Sequence, residues 1–415
     1  MASTGTMLKR RLLFALLYFS EGAPMGYLWF ALPYQMKSAG ISTLEVTAFT
    51  ALIGIPWILK LVWALAIDAL RSRRRGYRTW LLAAQAGMVV TLLPLFGLEP
   101  GHHLGLIRVF ALCHAVCAAT QDVSIDALVI ASVEPRERGS VNGWMLAGRY
   151  TGGALFAGAG IAFGVRHPTA LLSILFGVIV IAALAALGLD RGVTESPADP
   201  GRAIAAVGRK LRQALLTRRM AVAGAFALVS GAGFESLGGL MVSLLTDLQL
   251  EARQISTMTG LVRPLGLVAG ALIGGVVADR LGPPRATGLF LMTSVLSIWI
   301  LAASIDVRSA PLTAFFGMAF FAAGLFLASS YTLFMRLSDP SIAATQFTAF
   351  MALTNACEAW SHWASGHLEA RLGYPATLMV MASVSAASLS LMPLLAGANS
   401  PGHDAPVERR GTRLG

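Results

Sequence analysis

Apolar positions dominate twelve stretches of this chain, and polar positions gather in the gaps between them. The stretches are 12–36, 43–67, 79–98, 104–131, 140–164, 169–189, 221–246, 255–278, 286–304, 310–336, 343–366 and 375–396. A helix of about 20 mostly apolar residues crosses a hydrocarbon core about 30 Å thick. The pattern therefore predicts an all-α membrane protein of twelve transmembrane helices joined by short loops. Composition agrees: 56% of the 415 residues are hydrophobic and 13% charged, where ordinary soluble domains carry about 25% charged residues. No room is left for a separate soluble domain. The basic N-terminus runs into an apolar stretch that extends past Trp29 with no small-residue cleavage site, so a removable signal is not expected.

Charge then orients the helices. The N-terminal flank, the C-terminal tail and the gaps after spans two, four, six, eight and ten hold 23 of the 32 Lys and Arg residues. The opposite gaps hold five: Lys37, Arg166, Arg253, Arg308 and Arg371. The remaining four, Lys60, Arg108, Arg149 and Arg263, lie within spans. Basic residues mark the cytoplasmic side, so both termini are expected there. This alternation also accounts for the net charge of +11 without a nucleic-acid partner. Cys113, Cys117 and Cys357 fall inside predicted helices and read as small packing residues.

The longest polar gap, about 190–220, holds Pro197 and Pro200 and divides the chain in two. The expected organisation is a six-helix bundle over 1–190, a basic cytoplasmic linker over 191–220, a second six-helix bundle over 221–396 and a cytoplasmic tail over 397–415. The halves echo one another. Glu21 and Glu235 lie 214 residues apart, as do Ile41-Ser42-Thr43 and Ile255-Ser256-Thr257.

Ionised side chains inside the spans are the candidate chemistry. The acids are Glu21, Asp122, Asp126, Glu235 and Glu358; the bases include Lys60, Arg149 and Arg263. Each costs about 2.5–3.5 kcal/mol at a helix centre, so they must pair or line a wet cavity. Asp122 and Asp126 are four residues apart and share a helix face, as do Glu358 and His362. Paired carboxylates resist losing both protons, and one such acid can carry a proton as access switches. Asp122, Glu21, Asp126 and Glu235, in that order, are the proton-coupling candidates. One positive charge moving inward through 100 mV releases about 2.3 kcal/mol. Lys60, Arg149 and Arg263 could bind anionic groups of a solute, with Gln121, Glu358 and His362 as further binding candidates. Charge balance for the acids is the competing use of the bases. Glycines recur at 148, 152, 153, 158 and 160 in span five and at 266, 270 and 274 in span eight. Such small-residue faces admit close helix packing.

The loop after span eight reads Gly275-Val276-Val277-Ala278-Asp279-Arg280-Leu281-Gly282-Pro283-Pro284-Arg285. It resembles the signature loop of the major facilitator superfamily, G-x-x-x-D-R-x-G-x-x-R. The corresponding loop after span two carries Asp68, Arg73, Arg74 and Arg75. The resemblance implies a latch at the cytoplasmic helix ends, made of an acid paired with Arg and with a helix N-terminus, and implies that the glycine faces of spans five and eight meet as the interface on which the halves rock.

A closer resemblance, to the AmpG-like permeases, rests on Leu59-Lys60, on Ala119-Thr120-Gln121-Asp122 with Asp126, on Glu137-Arg138-Gly139, and on Ala344-Thr345-Gln346-Phe347. That group includes muropeptide permeases, acetyl-CoA transporters and a shorter branch of inner-membrane ferric-siderophore importers. This chain has Gly148-Arg149-Tyr150 where the group has Gly-Tyr-Arg, a move of about 100° round the helix. It has Glu21-Gly22-Ala23-Pro24 where Gly-Leu-Pro is common.

The resemblance implies a major facilitator fold and a proton-coupled symporter of the bacterial inner membrane. It implies import of a bulky anionic solute by a monomer among membrane lipid, driven by the proton motive force with no cofactor and no metal. The compact length favours a ferric siderophore of the pyochelin type, with a muropeptide as the alternative and a non-transporting receptor or scaffold as the second. An enzyme is not expected, because no metal-spaced Cys/His cluster, His-Glu-x-x-His or nucleotide-binding glycine loop occurs.

Overall fold

The computed structural model describes residues 4–60, 67, 76–133, 135–164, 166–189, 209, 217–307, 311–338 and 343–396. Most of the expected 191–220 linker, and all of the 397–415 tail, lie outside the described residues. Within them every regular element is a helix. Helix α1 (Thr4–Gly26) continues through a π turn, Tyr27–Ala31, into α2 (Leu32–Ser38). There follow α3 (Thr43–Ile58), α4 (Tyr77–Leu92), α5 (Pro100–Ser132), α6 (Pro135–Phe163) and α7 (Pro168–Ala186). After the linker come α8 (Arg218–Val229), α9 (Ala232–Asp247) and α10 (Ala252–Thr257), then a second π turn, Met258–Val262, leading into α11 (Arg263–Leu281). The remainder comprises α12 (Pro283–Ser304), α13 (Leu312–Leu337), α14 (Ala343–Ala387) and α15 (Met392–Ala396).

Eight described helices are long and apolar enough to cross a membrane. One of them, Gln346–Leu395, runs for 50 residues but breaks at Gly373, whose φ of +73° is open to glycine and to few other residues. Three of the expected spans fall below that apolar threshold for visible reasons. The first carries Glu21 among polar and small residues, Ser20, Gly22, Pro24 and Gly26, and is preceded directly by Lys9, Arg10 and Arg11. The second is 16 residues long as a helix. The fifth is diluted by its glycines and Arg149.

Both π turns precede a proline, Pro33 at the start of α2 and Pro264 at the start of α11. Proline has no N–H to give the preceding turn, and a widened turn is one way to release the strain. Gly282, between α11 and α12, has φ +81°, so the glycine of the signature loop also serves as the corner that reverses the chain.

The helices before residue 190 pack mainly on one another, with α1 against α6 and α4 against α5. Those after 217 do likewise, with α11 and α12 against α13, and α9 against α14. The two sets meet where α3 lies along α14, where α6 touches α10 and the second π turn, and where α2 touches α9. All three junctions include the side opposite the N-terminus, here called the far side. A Cβ on Gly366 of α14 would strike Thr47 of α3, and one on Gly260 would lie 2.9 Å from the Cα of Gly158.

The glycine faces correct one sequence expectation. Among the described glycines, only Gly158 and Gly260 face one another across spans five and eight. Gly148 and Gly152 of α6 face the α1 backbone at Ala15 and Phe19, within the first half. Gly266, Gly270 and Gly274 face α13 at Gly317, Phe321 and Leu325, within the second. Spacing identifies a close-packing face but not its neighbour. Most of these glycines consolidate each half, and the sliding surface is narrower than expected.

Candidate functional site

The first half folds its ionised groups onto one another. Asp122 and Asp126 project from the same face of α5, one turn apart. Lys60, just past the end of α3, reaches both: its Nζ lies 2.7 Å from Asp122 Oδ2 and 3.2 Å from Asp126 Oδ2. On the other side of the pair stands Tyr18 of α1. Its hydroxyl is 2.8 Å from Asp122 Oδ1 and 2.6 Å from Asp126 Oδ1. A phenol has one hydrogen to donate. It can donate fully to one carboxylate at a time, and a proton on the other carboxyl, donated back to the phenol oxygen, would satisfy the second approach. The arrangement suits a proton shared among three oxygen-bearing groups, with the ammonium of Lys60 close to both carboxylates. Asp122 is 1% exposed, while the Asp126 side chain is 41% exposed and opens toward a cavity.

Glu21, one turn along α1 from Tyr18, is fully buried. Its nearest opposite charge is Arg149 of α6, with Nη2 at 3.6 Å from Oε1. Neither Glu21 oxygen has a hydrogen-bond partner among the described residues. Arg149 also approaches the sulfur of Met25 at 3.5 Å. The Gly148-Arg149-Tyr150 order thus leaves the arginine facing α1, while Tyr150 stands 55% exposed at the cavity wall.

A cavity of about 610 Å³ lies between the two halves. Arg149 and Arg263 provide its positive charge, Glu358 and Asn355 its polar floor, and Trp29, Trp57, Phe30 and Tyr331 its aromatic walls. Trp29 and Trp57 meet edge to face at 5.5 Å. The Arg263 guanidinium lies over Phe30 at 4.6 Å and Phe320 at 5.5 Å, so a base of the second half rests on a ring of the first. Asn355 Nδ2 donates to the Trp57 carbonyl at 3.3 Å, again across the halves. A second cavity of about 760 Å³, lined by Lys60, Asp126, Phe347 and Met351, opens on the N-terminal side of that contact. In the second half, ligating atoms of Glu235, Glu358 and His362 all lie within 4.8 Å of one another.

The structure therefore separates residues that sequence reasoning grouped. Lys60 does not join Arg149 and Arg263 at the central cavity, because two aspartates hold it. Gln121 is fully buried and points away from solute space. Its Nε2 donates to the Leu17 carbonyl at 3.0 Å and to Ser20 Oγ at 3.4 Å, tying α5 to α1. Asp279, Arg280 and Arg285 are exposed and make no ion pair among the described residues, and Gly275 has open space around it. Asp68, Arg73, Arg74 and Arg75 lie outside the described residues.

Two functional features escaped the sequence reading. Tyr18 looked like one more aromatic of a membrane helix. The far-side junction carries a polar cluster whose members looked like loop residues: Lys37 Nζ lies 2.8 Å from Asp247 Oδ2 and 3.2 Å from Thr43 Oγ1, and Tyr374 bonds both Asp247 and Thr43. A lone lysine on the charge-poor side, matched by a lone aspartate at the corresponding point of the second half, was the available signal.

A fold of membrane-length helices in two packed sets, with charges enclosed between them, defines a membrane transporter. The chain belongs to the Major Facilitator Superfamily, whose sequence pattern matches residues 14–356. Its relatives include the anhydromuropeptide permease of Escherichia coli K12, 25% identical over 366 residues, covering 83% of this chain and 71% of that one. They also include a protein of Rickettsia typhi described as putative transporter AmpG 3, 22% identical over 281 residues, covering 63% and 66%. Among solved structures, the nucleoside transporter NupG (D323A mutant) superposes with a TM-score of 0.73 at 14% identity, over 93% of this chain and 99% of that one. A D-xylose-proton symporter gives 0.68 at 11% identity, over 93% and 96%. These likenesses bear out the AmpG-like resemblance and the major facilitator fold. The protein is a multi-pass transporter of the bacterial inner membrane.

Proposed function

We propose that this transporter is a proton-coupled importer of a bulky anionic solute, working by alternating access with both termini in the cytoplasm. The single observation that supports coupling is the hydrogen count at Tyr18. Its hydroxyl approaches two carboxylate oxygens and can donate fully to one, which supports a cluster able to take up a proton and give it back. Asp126 is its wet member and the exit toward the N-terminal side. Solute binding is assigned to the central cavity, where Arg149 and Arg263 meet anionic oxygens and the aromatic walls cover apolar or sugar faces. The volume suits a solute of several hundred daltons, since ligand sites span about 300–1,000 Å³.

For the solute, the named relatives favour a muropeptide, a peptide-bearing amino-sugar acid, over the ferric siderophore that chain length suggested. The siderophore reading has no support among those relatives. The test is uptake of radiolabelled anhydromuropeptide into proteoliposomes under an imposed proton gradient, with a ferric pyochelin-type chelate as the competing solute. Accumulation of the muropeptide that collapses with an uncoupler is the expected result. Accumulation of the chelate alone would reverse the choice of solute, and equilibration without accumulation would remove proton coupling. Asp122→Asn is expected to abolish accumulation while sparing exchange of labelled for unlabelled solute. Accumulation at the native rate in that variant would sink the coupling assignment.

A further inference from the structure

Each half encloses one more acid than base among the described residues. In the first half Glu21, Asp122 and Asp126 face Lys60 and Arg149, and the Tyr18 hydroxyl bridges two of the acids. In the second half Glu235 and Glu358 face one base, Arg263, which lies over Phe30 and Phe320 and makes no ion pair among the described residues. The second half is therefore short of one positive charge in a setting where unpaired charge is costly. Beside the two carboxylates is His362, 4% exposed, with its Nδ1 lacking any hydrogen-bond partner. The three side chains converge from α9 and α14 at the edge of the central cavity, which Glu358 lines directly.

We propose that Glu235, Glu358 and His362 form a subsite for a primary ammonium group of the transported solute, so that the solute is dipolar, with its anionic end toward Arg149 and Arg263. This rests on the reading of the central cavity as the solute site. The charge count selects an ammonium: the missing charge is a single one, whereas a divalent metal ion would overshoot it beside Arg263. Three acceptors arranged tetrahedrally about 2.8 Å from an ammonium nitrogen stand about 4.6 Å apart, and the ligating atoms here, all within 4.8 Å of one another, admit that spacing. An ammonium has three N–H donors, one for each carboxylate and one for the imidazole lone pair.

The test uses the full-length protein in detergent and two minimal probes, 6-aminohexanoate and hexanoate, which differ in the amine, with binding read from thermal-unfolding titrations. The expected result is at least tenfold tighter binding of 6-aminohexanoate, with the preference lost in Glu358→Gln and, separately, in Glu235→Gln. Equal affinity in the wild-type protein, including failure of both probes to bind, overturns the proposal without any variant having to fold. A preference that persists in both variants places the amine elsewhere and also overturns it. Zn²⁺ is the third probe. Tight, chelator-reversible Zn²⁺ binding lost in His362→Asn would replace the ammonium with a metal. Failure of the muropeptide to be transported, with the amine preference intact, would overturn the solute named above and leave this subsite standing.

Discussion

Tyr18 shows how much can turn on one hydroxyl. Asp122 and Asp126 would repel one another as bare carboxylates, and Lys60 can neutralise one of them. The phenol stands between them, and a proton shared through it would let the buried Asp122 and the half-exposed Asp126 sit one turn apart. Tyr18→Phe removes that bridge and leaves the packing of the ring unchanged. A hydrogen bond to a charged group is worth about 1.5–3 kcal/mol, or about 10- to 100-fold. Proton-driven accumulation is expected to fall by that factor in proteoliposomes, while solute exchange at equal pH stays within about twofold. An equal loss in both assays would make Tyr18 a structural residue. The ionised members of this cluster were legible in the sequence because charge inside an apolar span is expensive and cannot be idle. Their partner was not, because a tyrosine in such a span costs little and has many uses.

At the scale of the element, the first half is held by backbones in contact. A Cβ on Gly22 would strike the Arg149 carbonyl, and one on Gly26 the Gly153 carbonyl. Gly26→Ala is expected to push α1 off α6, at a cost of about 1–3 kcal/mol. Thermal unfolding in detergent should show a lower midpoint and loss of uptake. Gly105→Ala of α5, where a Cβ meets nothing within 4 Å, is the control. It should unfold no earlier than the wild type, since alanine is favoured over glycine in a helix by about 0.5–1 kcal/mol. The sequence displayed the glycine rows plainly. Which helix each row would meet depends on how many similar rods are arranged, and periodicity within one rod carries no record of that.

At the scale of the whole molecule, the described residues join the two halves on the far side and leave a cavity toward the N-terminal side. Lys37, Thr43, Asp247 and Tyr374 close the one across both halves, and the cavity below the Trp57–Asn355 contact opens the other. If these are the two ends of a transport cycle, the far-side cluster must part for solute to enter. Lys37→Cys with Asp247→Cys, in a chain with Cys113, Cys117 and Cys357 replaced, should lose uptake when joined by a short reducible cross-linker and regain it on reduction. Uptake that continues through the cross-link would mean the far side does not open. The span pattern and the basic-residue bias foretold helical packing and a cavity of enclosed charge. They were silent on which end would be shut, because that depends on contacts among residues lying 210 and 331 positions apart in the chain.

The glycine contact between α1 and α6 carries one more consequence. Glu21 sits on the first of these helices and Arg149 on the second, and the two backbones interlock at the level of both residues. Any swing of one half against the other carries both helices together, so it does not by itself draw these two charges apart. An arriving proton, or an anion competing for the guanidinium, is the kind of event that would change the state of the pair.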